Sequence, residues 1–321
     1  MTYRHQLLMV SLLATLMTMS SADLQYNFYD SSCQNVETTI RGVVHGMIDA
    51  NSSVAAALIR LYFHDCFVMG CDASILLDPT SANGSPEKKA IPLAEAGYKA
   101  VDQIKAAVEA LCPGKVSCAD ILALAARDAV LKSAGFYYNV PSGRRDGNVS
   151  TAFSVFTNMP SPFFGIDNLV ASFARKNLNV DDLVALSGAH AIGVARCSGF
   201  TNRLYPNVDP TMDASYADKL KITCPGPPGR DVPDNLVNNS AVPSNTFDNQ
   251  FFKNAIAKQV LFTSDAALMT RSDTAAKVAE NANGLTTWKV RFAASMIKMG
   301  NIEVLTGAQG QIRKSCRVVN S

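Results

Sequence analysis

The most informative segment of the chain reads Ile59-Arg60-Leu61-Tyr62-Phe63-His64-Asp65-Cys66. It ends an apolar run that begins at Val54, and this pattern predicts a helix. On a helix, Arg60 and His64 are four residues apart and share one face, so both can reach the same small ligand. The arginine can stabilise a developing anion, and the histidine can accept and return a proton. Such a pair alone is weak evidence, and a purely structural role is an alternative.

The residues after His64 supply several oxygen atoms within a short stretch. They are the side chains of Asp65, Asp72 and Ser74 and the main-chain carbonyls of Val68 and Gly70. A bridge between Cys66 and Cys71 could close a tight loop through the same stretch. Ca²⁺ takes six to eight oxygen ligands, whereas Mg²⁺ prefers a stricter octahedron with more water. The pattern therefore favours a calcium loop over a polar surface turn.

A second segment, Asp182-Leu183-Val184-Ala185-Leu186-Ser187-Gly188-Ala189-His190, ends in another histidine. A Ser-Gly turn after an apolar helix would let the His190 ring project into a cavity, although a buried core histidine is an equal alternative. Only two other histidines exist in the chain. His5 lies in an expected leader, and His45, one turn before Asp49, is expected on a solvated helix face.

The amino end has the features of a secretory signal. A basic start at Arg4 precedes an apolar run from Leu7 to Met19, which is too short to span a bilayer. We expect a signal peptide at residues 1–22 and a single domain at 23–321, and a membrane anchor is the alternative. No later segment is long and apolar enough to span. Four Asn-x-Ser sequons begin at Asn51, Asn83, Asn148 and Asn238.

The composition is that of a folded protein with many helices. Of 321 residues, 48% are hydrophobic and 17% charged, which excludes a disordered chain. The net charge is only +2 and the basic residues are scattered along the chain, which excludes a nucleic-acid binder. Apolar residues recur at three- and four-residue steps, which predicts a mainly α protein. The expected helices lie at 36–48, 54–66, 98–111, 118–131, 166–175, 247–257, 273–282 and 286–299. Asn207 to Asn245 has the composition of a long polar insert.

The eight cysteines fit an oxidising compartment. Their number allows 105 pairings, so counting leaves the connectivity open. Zinc binding is excluded because no Cys-x-x-Cys or Cys/His pair has the required spacing.

The two histidine motifs, together with the eight cysteines, closely resemble the secretory plant (class III) haem peroxidases over essentially all of the mature chain. The resemblance implies a mainly α haem-peroxidase fold, in which a b-type haem is held noncovalently between distal and proximal helical halves. It also implies four disulfides, which are Cys33–Cys112, Cys66–Cys71, Cys118–Cys316 and Cys197–Cys224.

The resemblance further implies a role for each site residue. His190 would be the axial ligand of the haem iron, and Asp265 would accept the other ring proton of His190. His64 and Arg60 would act on hydrogen peroxide, while Phe63 shapes the pocket. Pro160 matches the position where aromatic donors bind. The distal calcium ligands would be Asp65, Val68, Gly70, Asp72 and Ser74, with Glu87 acting through water.

Two departures from the family pattern carry information. Leu93 occupies the position where the family has an asparagine that orients the distal histidine, so we expect a slower reaction with peroxide. A second, proximal calcium site retains only Asp248, because Ala191, Ser240 and Pro243 replace its other ligands. We therefore expect one calcium ion rather than two.

The implied function is that of a secreted enzyme that reduces H₂O₂ to water and oxidises small phenolic donors in two one-electron steps. We expect a monomer in the apoplast or cell wall, with no nucleic-acid partner. The alternatives are a catalytically weakened cell-wall scaffold on the same fold, a calcium-binding module without haem, and a metal-dependent hydrolase based on His64 and Asp65.

Overall fold

The computed structural model describes residues 23–80, 85–91, 93–242 and 246–321. The expected signal peptide, the sequon at Asn83 and the position of Pro243 lie outside these ranges. Twelve α-helices occur in the described part of the chain. They are α1 (Val36–Ala50), α2 (Ser53–Val68), α3 (Glu95–Leu111), α4 (Cys118–Ala134), α5 (Ala152–Asn158), α6 (Ile166–Ala174), α7 (Val180–Ser187), α8 (Ala214–Thr223), α9 (Gln250–Ile256), α10 (Thr263–Ala267), α11 (Ser272–Asn283) and α12 (Leu285–Met299).

The first four helices pack together as one half of the molecule. Helices α2 and α4 are apolar around most of their circumference, and both are largely buried. Such helices lie inside a protein rather than on its surface. Helix α1 packs against α3 and α4 through one buried stripe, which includes Ile40 and Val44.

The second half is built around α7, α11 and α12. Helix α12 packs against α7 and α11, and it also contacts α2 of the first half. Its buried Trp288 donates a hydrogen bond from Nε1 to the carbonyl of Ala185 in α7, at 3.2 Å. One continuous apolar core joins the two halves. The mainly α fold is therefore confirmed.

A smaller apolar cluster lies outside the main core. It involves α8 and a two-stranded antiparallel ribbon of β1 (Val194–Arg196) and β2 (Leu236–Asn238), in which Ala195 pairs with Val237. Phe262 belongs to this cluster and also contacts the ring of His190. The ribbon follows His190 directly and therefore helps to position it.

The four disulfides implied by the resemblance are present. They join Cys33 to Cys112, Cys66 to Cys71, Cys118 to Cys316 and Cys197 to Cys224. The first and third fasten the chain ends to α3 and α4. Among the described residues, no helix combines the length and the apolar character that crossing a bilayer requires.

All eight expected helical segments correspond to observed helices, and α7 is the apolar helix expected before His190, but the other three helices were missed. Helix α8 lies inside the segment interpreted as a polar insert, and α5 and α10 are only seven and five residues long. The ribbon was also missed, because strands of three residues are too short to show an alternating pattern.

The expectation of a solvated His45 is wrong. The side chain is half-buried, and its Nε2 is enclosed without a hydrogen-bond partner in the described residues. Asp49 pairs instead with Lys132, at 2.6 Å.

Candidate active site

His190 lies in a short 3-10 turn, Gly188–Ala191, that follows α7. The ring is half-buried, with 34% of the side chain exposed, and its Nδ1 lies 2.8 Å from Oδ1 of the buried Asp265. A carboxylate beside Nδ1 favours the tautomer that carries its proton on this nitrogen. Nε2 is then free to donate an electron pair, and no group in the described ranges hydrogen-bonds to it.

Aromatic side chains hold the His190 ring from two directions. The ring centroids of Phe262 and Phe251 lie 5.2 Å and 6.0 Å from that of the imidazole, both in edge-on geometry. Both phenylalanines are buried, so the ring has little freedom to turn away from Asp265. These contacts therefore hold Nε2 of His190 in one orientation.

His64 and Arg60 lie on α2, as the helical spacing predicts. The His64 side chain is almost fully buried, and burial together with the nearby charge of Arg60 lowers the pKa of its imidazole well below the usual value. Its Nδ1 has no hydrogen-bond partner among the described residues. No described residue therefore fixes the tautomer of this ring through Nδ1.

Arg60 is exposed by surface area and has no hydrogen-bond or ion-pair partner in the described part of the chain. Nevertheless, surrounding protein desolvates the guanidinium enough to lower its pKa. The guanidinium is therefore partly desolvated by the protein but still reachable from solvent. Its charge is therefore available to a bound ligand.

Phenylalanines form the apolar wall beside His64. The ring of Phe63 lies edge-on to His64 with centroids 5.7 Å apart, and it packs against Phe67 at 4.5 Å. Phe67 contacts Phe173 of α6 at 5.0 Å. These contacts fix the position of Phe63, which narrows the space next to His64.

The segment after His190 lies directly against α2. Gly193 has a φ of +84°, and a Cβ at this position would come within 3.0 Å of the Cβ of Ala56, one turn before Arg60. Glycine is the residue that tolerates both this backbone conformation and the close approach. A cavity of about 150 Å³ lies here, and its walls include Ala55, Ala191 and Ile192. The two histidine segments thus border a common region.

The residues present fit a haem group. His190 offers a free Nε2 whose opposite nitrogen is bound to a buried carboxylate, as is usual for an imidazole that ligates a metal. The helix on the other side carries Arg60 and His64, which have unused polar atoms, and apolar side chains fill the surroundings. The buried Nδ1 of His64 has no protein partner among the described residues, which is costly unless a ligand or water uses it.

Three carboxylates lie close together in the loop after His64 and in a neighbouring turn. Asp65, Asp72 and Glu87 are all buried. Asp65 accepts a hydrogen bond from the Ala73 amide and Asp72 accepts one from the Ser74 amide, but Oδ1 of Asp65 and Oε2 of Glu87 have no partner in the described residues. Buried, unpaired carboxylate oxygens of this kind indicate a cation site.

The charges around this cluster are not balanced by protein groups. A fourth buried acid, Asp146, lies beside it, and the buried Arg313 is the cation nearest to all four. Burial raises the pKa of Asp72 to about 6 and that of Glu87 to about 8. With every acid ionised, the cluster has an excess of negative charge that a divalent cation would neutralise.

Several oxygen atoms lie close together in the loop after His64. Gly147 passes so close to Asp72 that a Cβ there would lie 2.0 Å from the carboxylate, and the Gly147 amide donates to the carbonyl of Asp72 at 2.8 Å. Val68 ends α2, Gly70 lies in the loop that the Cys66–Cys71 bridge closes, and Ser74 begins the 3-10 turn Ser74–Leu76 that follows this loop. In the ranges that the structure describes, no three His, Cys, Asp or Glu side chains form a ready-made metal site. A cation would therefore need carbonyl and hydroxyl oxygens as well.

The second calcium position retains one carboxylate, that of Asp248, among the described residues of the family pattern. Asp248 is half-buried and accepts a hydrogen bond from the Gln250 amide at 2.8 Å. The buried hydroxyl of Ser240 accepts a hydrogen bond from the side-chain amide of Asn254 at 3.0 Å, and Ala191 has no hydroxyl to offer. The side chain of Ser240 is therefore satisfied by a protein partner.

Pro160 follows α5 and is half-buried. The loop after it is fastened to the proximal side, because the Ser264 amide donates to the carbonyl of Pro162 at 3.0 Å, one residue before Asp265. Leu93 packs against the main core and also borders a larger cavity of about 530 Å³ that involves Tyr98. That cavity contains none of the histidines.

Asp146 and Arg313 were not anticipated from the sequence. The Arg313 amide donates to Asp146 at 2.8 Å although the two residues are 167 positions apart, and no motif marks either residue. A second buried ion pair joins Arg144 to Asp120, with Nη1 and Oδ1 2.8 Å apart.

Comparison with known proteins agrees with this site. Residues 40–284 match the family model described as "Peroxidase". Peroxidase 5 of Vitis vinifera is 44% identical over 94% of this chain and 92% of its own length. Peroxidase 39 of Arabidopsis thaliana and Peroxidase 1 of Oryza sativa subsp. japonica are 43% and 44% identical, each over 98% of both chains. The chain therefore belongs to the plant class III haem peroxidases.

Proposed function

We propose that this enzyme reduces H₂O₂ to water and oxidises two molecules of an uncharged phenol, each by one electron. Per turnover, the peroxide O–O bond breaks, each phenol loses a proton and an electron, and two waters and two phenoxyl radicals form. The observation that carries the proposal is the pairing of His190 with the buried Asp265, which leaves Nε2 free. When bound, a b-type haem supplies the redox-active iron.

On the proximal side, His190 would hold the iron through Nε2. Asp265 would accept the proton of Nδ1 and increase the electron-donor strength of the ring. Phe251 and Phe262 keep the imidazole in this orientation.

On the distal side, His64 would take a proton from hydrogen peroxide and return it to the oxygen that leaves as water. Because burial and Arg60 both disfavour the imidazolium, the ring is neutral and can accept this proton. The guanidinium of Arg60 would stabilise the negative charge that develops on the peroxide oxygens. Phe63 would exclude bulky molecules from this position, so that donors bind near Pro160 instead.

One calcium ion would stabilise the distal side. Asp65, Asp72 and Ser74, the carbonyls of Val68 and Gly70, and Glu87 through water would supply its oxygens. The support for this site is the group of buried acids with unpaired oxygens beside Arg313. No calcium would bind at Asp248.

The proposed organisation is a signal peptide at residues 1–22 followed by one haem-peroxidase domain at 23–321. The enzyme would be a secreted monomer of the apoplast or cell wall. The four disulfides support an oxidising compartment.

The test is an absorption spectrum followed by H₂O₂-dependent oxidation of guaiacol. The wild-type protein should show a Soret band and oxidise guaiacol, and His64→Leu should keep the band while losing at least about 100-fold in rate with peroxide. His45→Leu, which changes a histidine outside the site, serves as the matched control. A wild-type protein without a Soret band, or a His64→Leu variant with full activity, would contradict the proposal.

A further inference from the structure

Helix α5 carries two of the most exposed phenylalanines in the described part of the chain. Phe153 and Phe156 have 74% and 75% of their surface accessible. They are three residues apart and therefore lie on the same face of the helix. The opposite side holds the buried Val155, where α5 packs against α2 and the turn Glu87–Lys89. The outer face is thus an apolar surface that no described element covers.

The apolar surface continues on both sides of α5. Val149 precedes the helix and Phe163 follows it, and both are about half exposed. Together with Phe153 and Phe156 they form what we call the α5 strip. Contiguous exposed apolar surface on a monomer commonly marks a binding site, because leaving it in water is unfavourable.

The strip leads to the donor side of the proposed active site. Phe156 precedes Pro160 by four residues, and Phe163 follows it by three. The connecting loop is fixed to the proximal side by the hydrogen bond from the Ser264 amide to the Pro162 carbonyl. A molecule that touches Pro160 therefore has an exposed phenyl ring within four residues of the chain on either side, at Phe156 and at Phe163.

The absence of charged residues around α5 disfavours the binding of charged molecules. From Gly147 to Ile166 there is no Asp, Glu, Lys, Arg or His. Phenyl rings without neighbouring charges offer stacking and apolar contact but no ion pair. An uncharged aromatic molecule gains these contacts, whereas a sulfonated or carboxylated one would lose hydration without compensation.

The length of the α5 strip favours aromatic molecules that have more than one ring. The helical rise of 1.5 Å per residue places Phe153 about 7.5 Å along the axis from Asn158, the last residue of α5, and Pro160 lies two residues beyond the helix. Ring centroids in contact lie about 4.5–7 Å apart, so a single phenol at Pro160 cannot also stack on Phe153. We propose that the α5 strip binds uncharged phenolic donors of two or more rings, with one ring at Pro160 and the others along Phe156 and Phe153. This inference rests on the proposed function and narrows its substrate class.

The experiment compares the wild-type holoenzyme with Phe153→Ser/Phe156→Ser, using guaiacol and the two-ring phenol guaiacylglycerol β-guaiacyl ether. Equilibrium binding of the two-ring phenol to the resting enzyme, without peroxide, should weaken about tenfold in the double variant. The KM ratio of the two-ring phenol to guaiacol should rise by a similar factor. Ile222→Ser changes an equally exposed residue of α8 and should leave both values as in the wild type.

The outcomes separate the two proposals. A wild-type enzyme that does not oxidise guaiacol contradicts the proposed function. Normal guaiacol oxidation with equal binding of the two-ring phenol by both proteins overturns the α5 strip. So does a concentration-dependent dimer that the double variant abolishes, since the strip would then bind a second copy. If the double variant does not fold, the test uses the wild-type enzyme alone. This enzyme should bind the neutral two-ring phenol more tightly than the sulfonated analogue of that phenol. Equal binding of the two molecules refutes the inference.

Discussion

Replacement of Glu87 by glutamine should make the calcium-free protein more stable at neutral pH and the calcium-loaded protein less stable. Glu87 is completely buried, and one of its carboxylate oxygens has no partner in the described residues. Burial raises the pKa of this carboxyl from 4.5 to about 8. The folded, calcium-free protein therefore holds a proton that the unfolded chain releases above pH 4.5.

The magnitude follows from the two pKa values. One pKa unit corresponds to about 1.4 kcal/mol, so between pH 5 and pH 7.5 the calcium-free protein should lose about 3 kcal/mol of unfolding free energy through Glu87 alone. A raised carboxyl pKa stabilises the fold at low pH, and this stability declines as the pH rises towards 8. For a chain of this size the loss corresponds to about 6 °C in Tm. Glutamine has no proton to lose and removes this pH dependence.

The assay is thermal unfolding at pH 5 and pH 7.5, with excess Ca²⁺ or with a chelator. In chelator at pH 7.5, Glu87→Gln should unfold about 6 °C above the wild type, and in Ca²⁺ it should unfold below it. Glu95→Gln changes an exposed glutamate and should follow the wild type throughout. If the wild type in chelator has the same Tm at both pH values, or if Glu87→Gln never exceeds it, the reasoning about this buried carboxyl is refuted.

Three further predictions concern the haem and calcium sites. Leu93→Asn should accelerate the reaction with H₂O₂ about tenfold in stopped-flow measurements, because this position is where the family has the asparagine that orients the distal histidine; an unchanged rate contradicts this. Asp265→Asn should weaken haem retention by His190 about 10- to 100-fold in a haem-transfer assay, since the carboxylate charge is lost. Equal retention would show that Asp265 does not strengthen His190 as a ligand. Metal analysis should find one calcium per chain, because Asp248 is the one carboxylate retained at the second position. A second ion bound at Asp248 would contradict this.

The sequence predicted the local parts of the site well. The four-residue spacing of Arg60 and His64 determines their common face on α2, and the Ser-Gly turn before His190 does project the ring from the end of α7. The fold class followed from apolar periodicity, because long amphipathic or fully apolar helices give a strong signal. The disulfides were accessible only through the family resemblance, since cysteine counting allows 105 pairings.

The parts that could not be predicted depend on contacts distant in sequence. The buried pairing of Asp146 with Arg313 joins positions 167 residues apart, and neither lies in a recognisable pattern. Helix α8 was missed because its sequence has little amphipathic character and lies within a polar segment. His45 was expected in solvent because its own helix looks polar there, but the packing of neighbouring helices encloses it.

The central prediction is that His190 holds the haem iron, and the most direct measurement is the haem-to-protein ratio and Soret absorbance of His190→Ala. His45→Ala, purified in parallel, should retain the haem content and guaiacol activity of the wild type. We expect His190→Ala to lose most of its haem and nearly all activity. A His190→Ala protein with a normal Soret band and full activity would contradict the account.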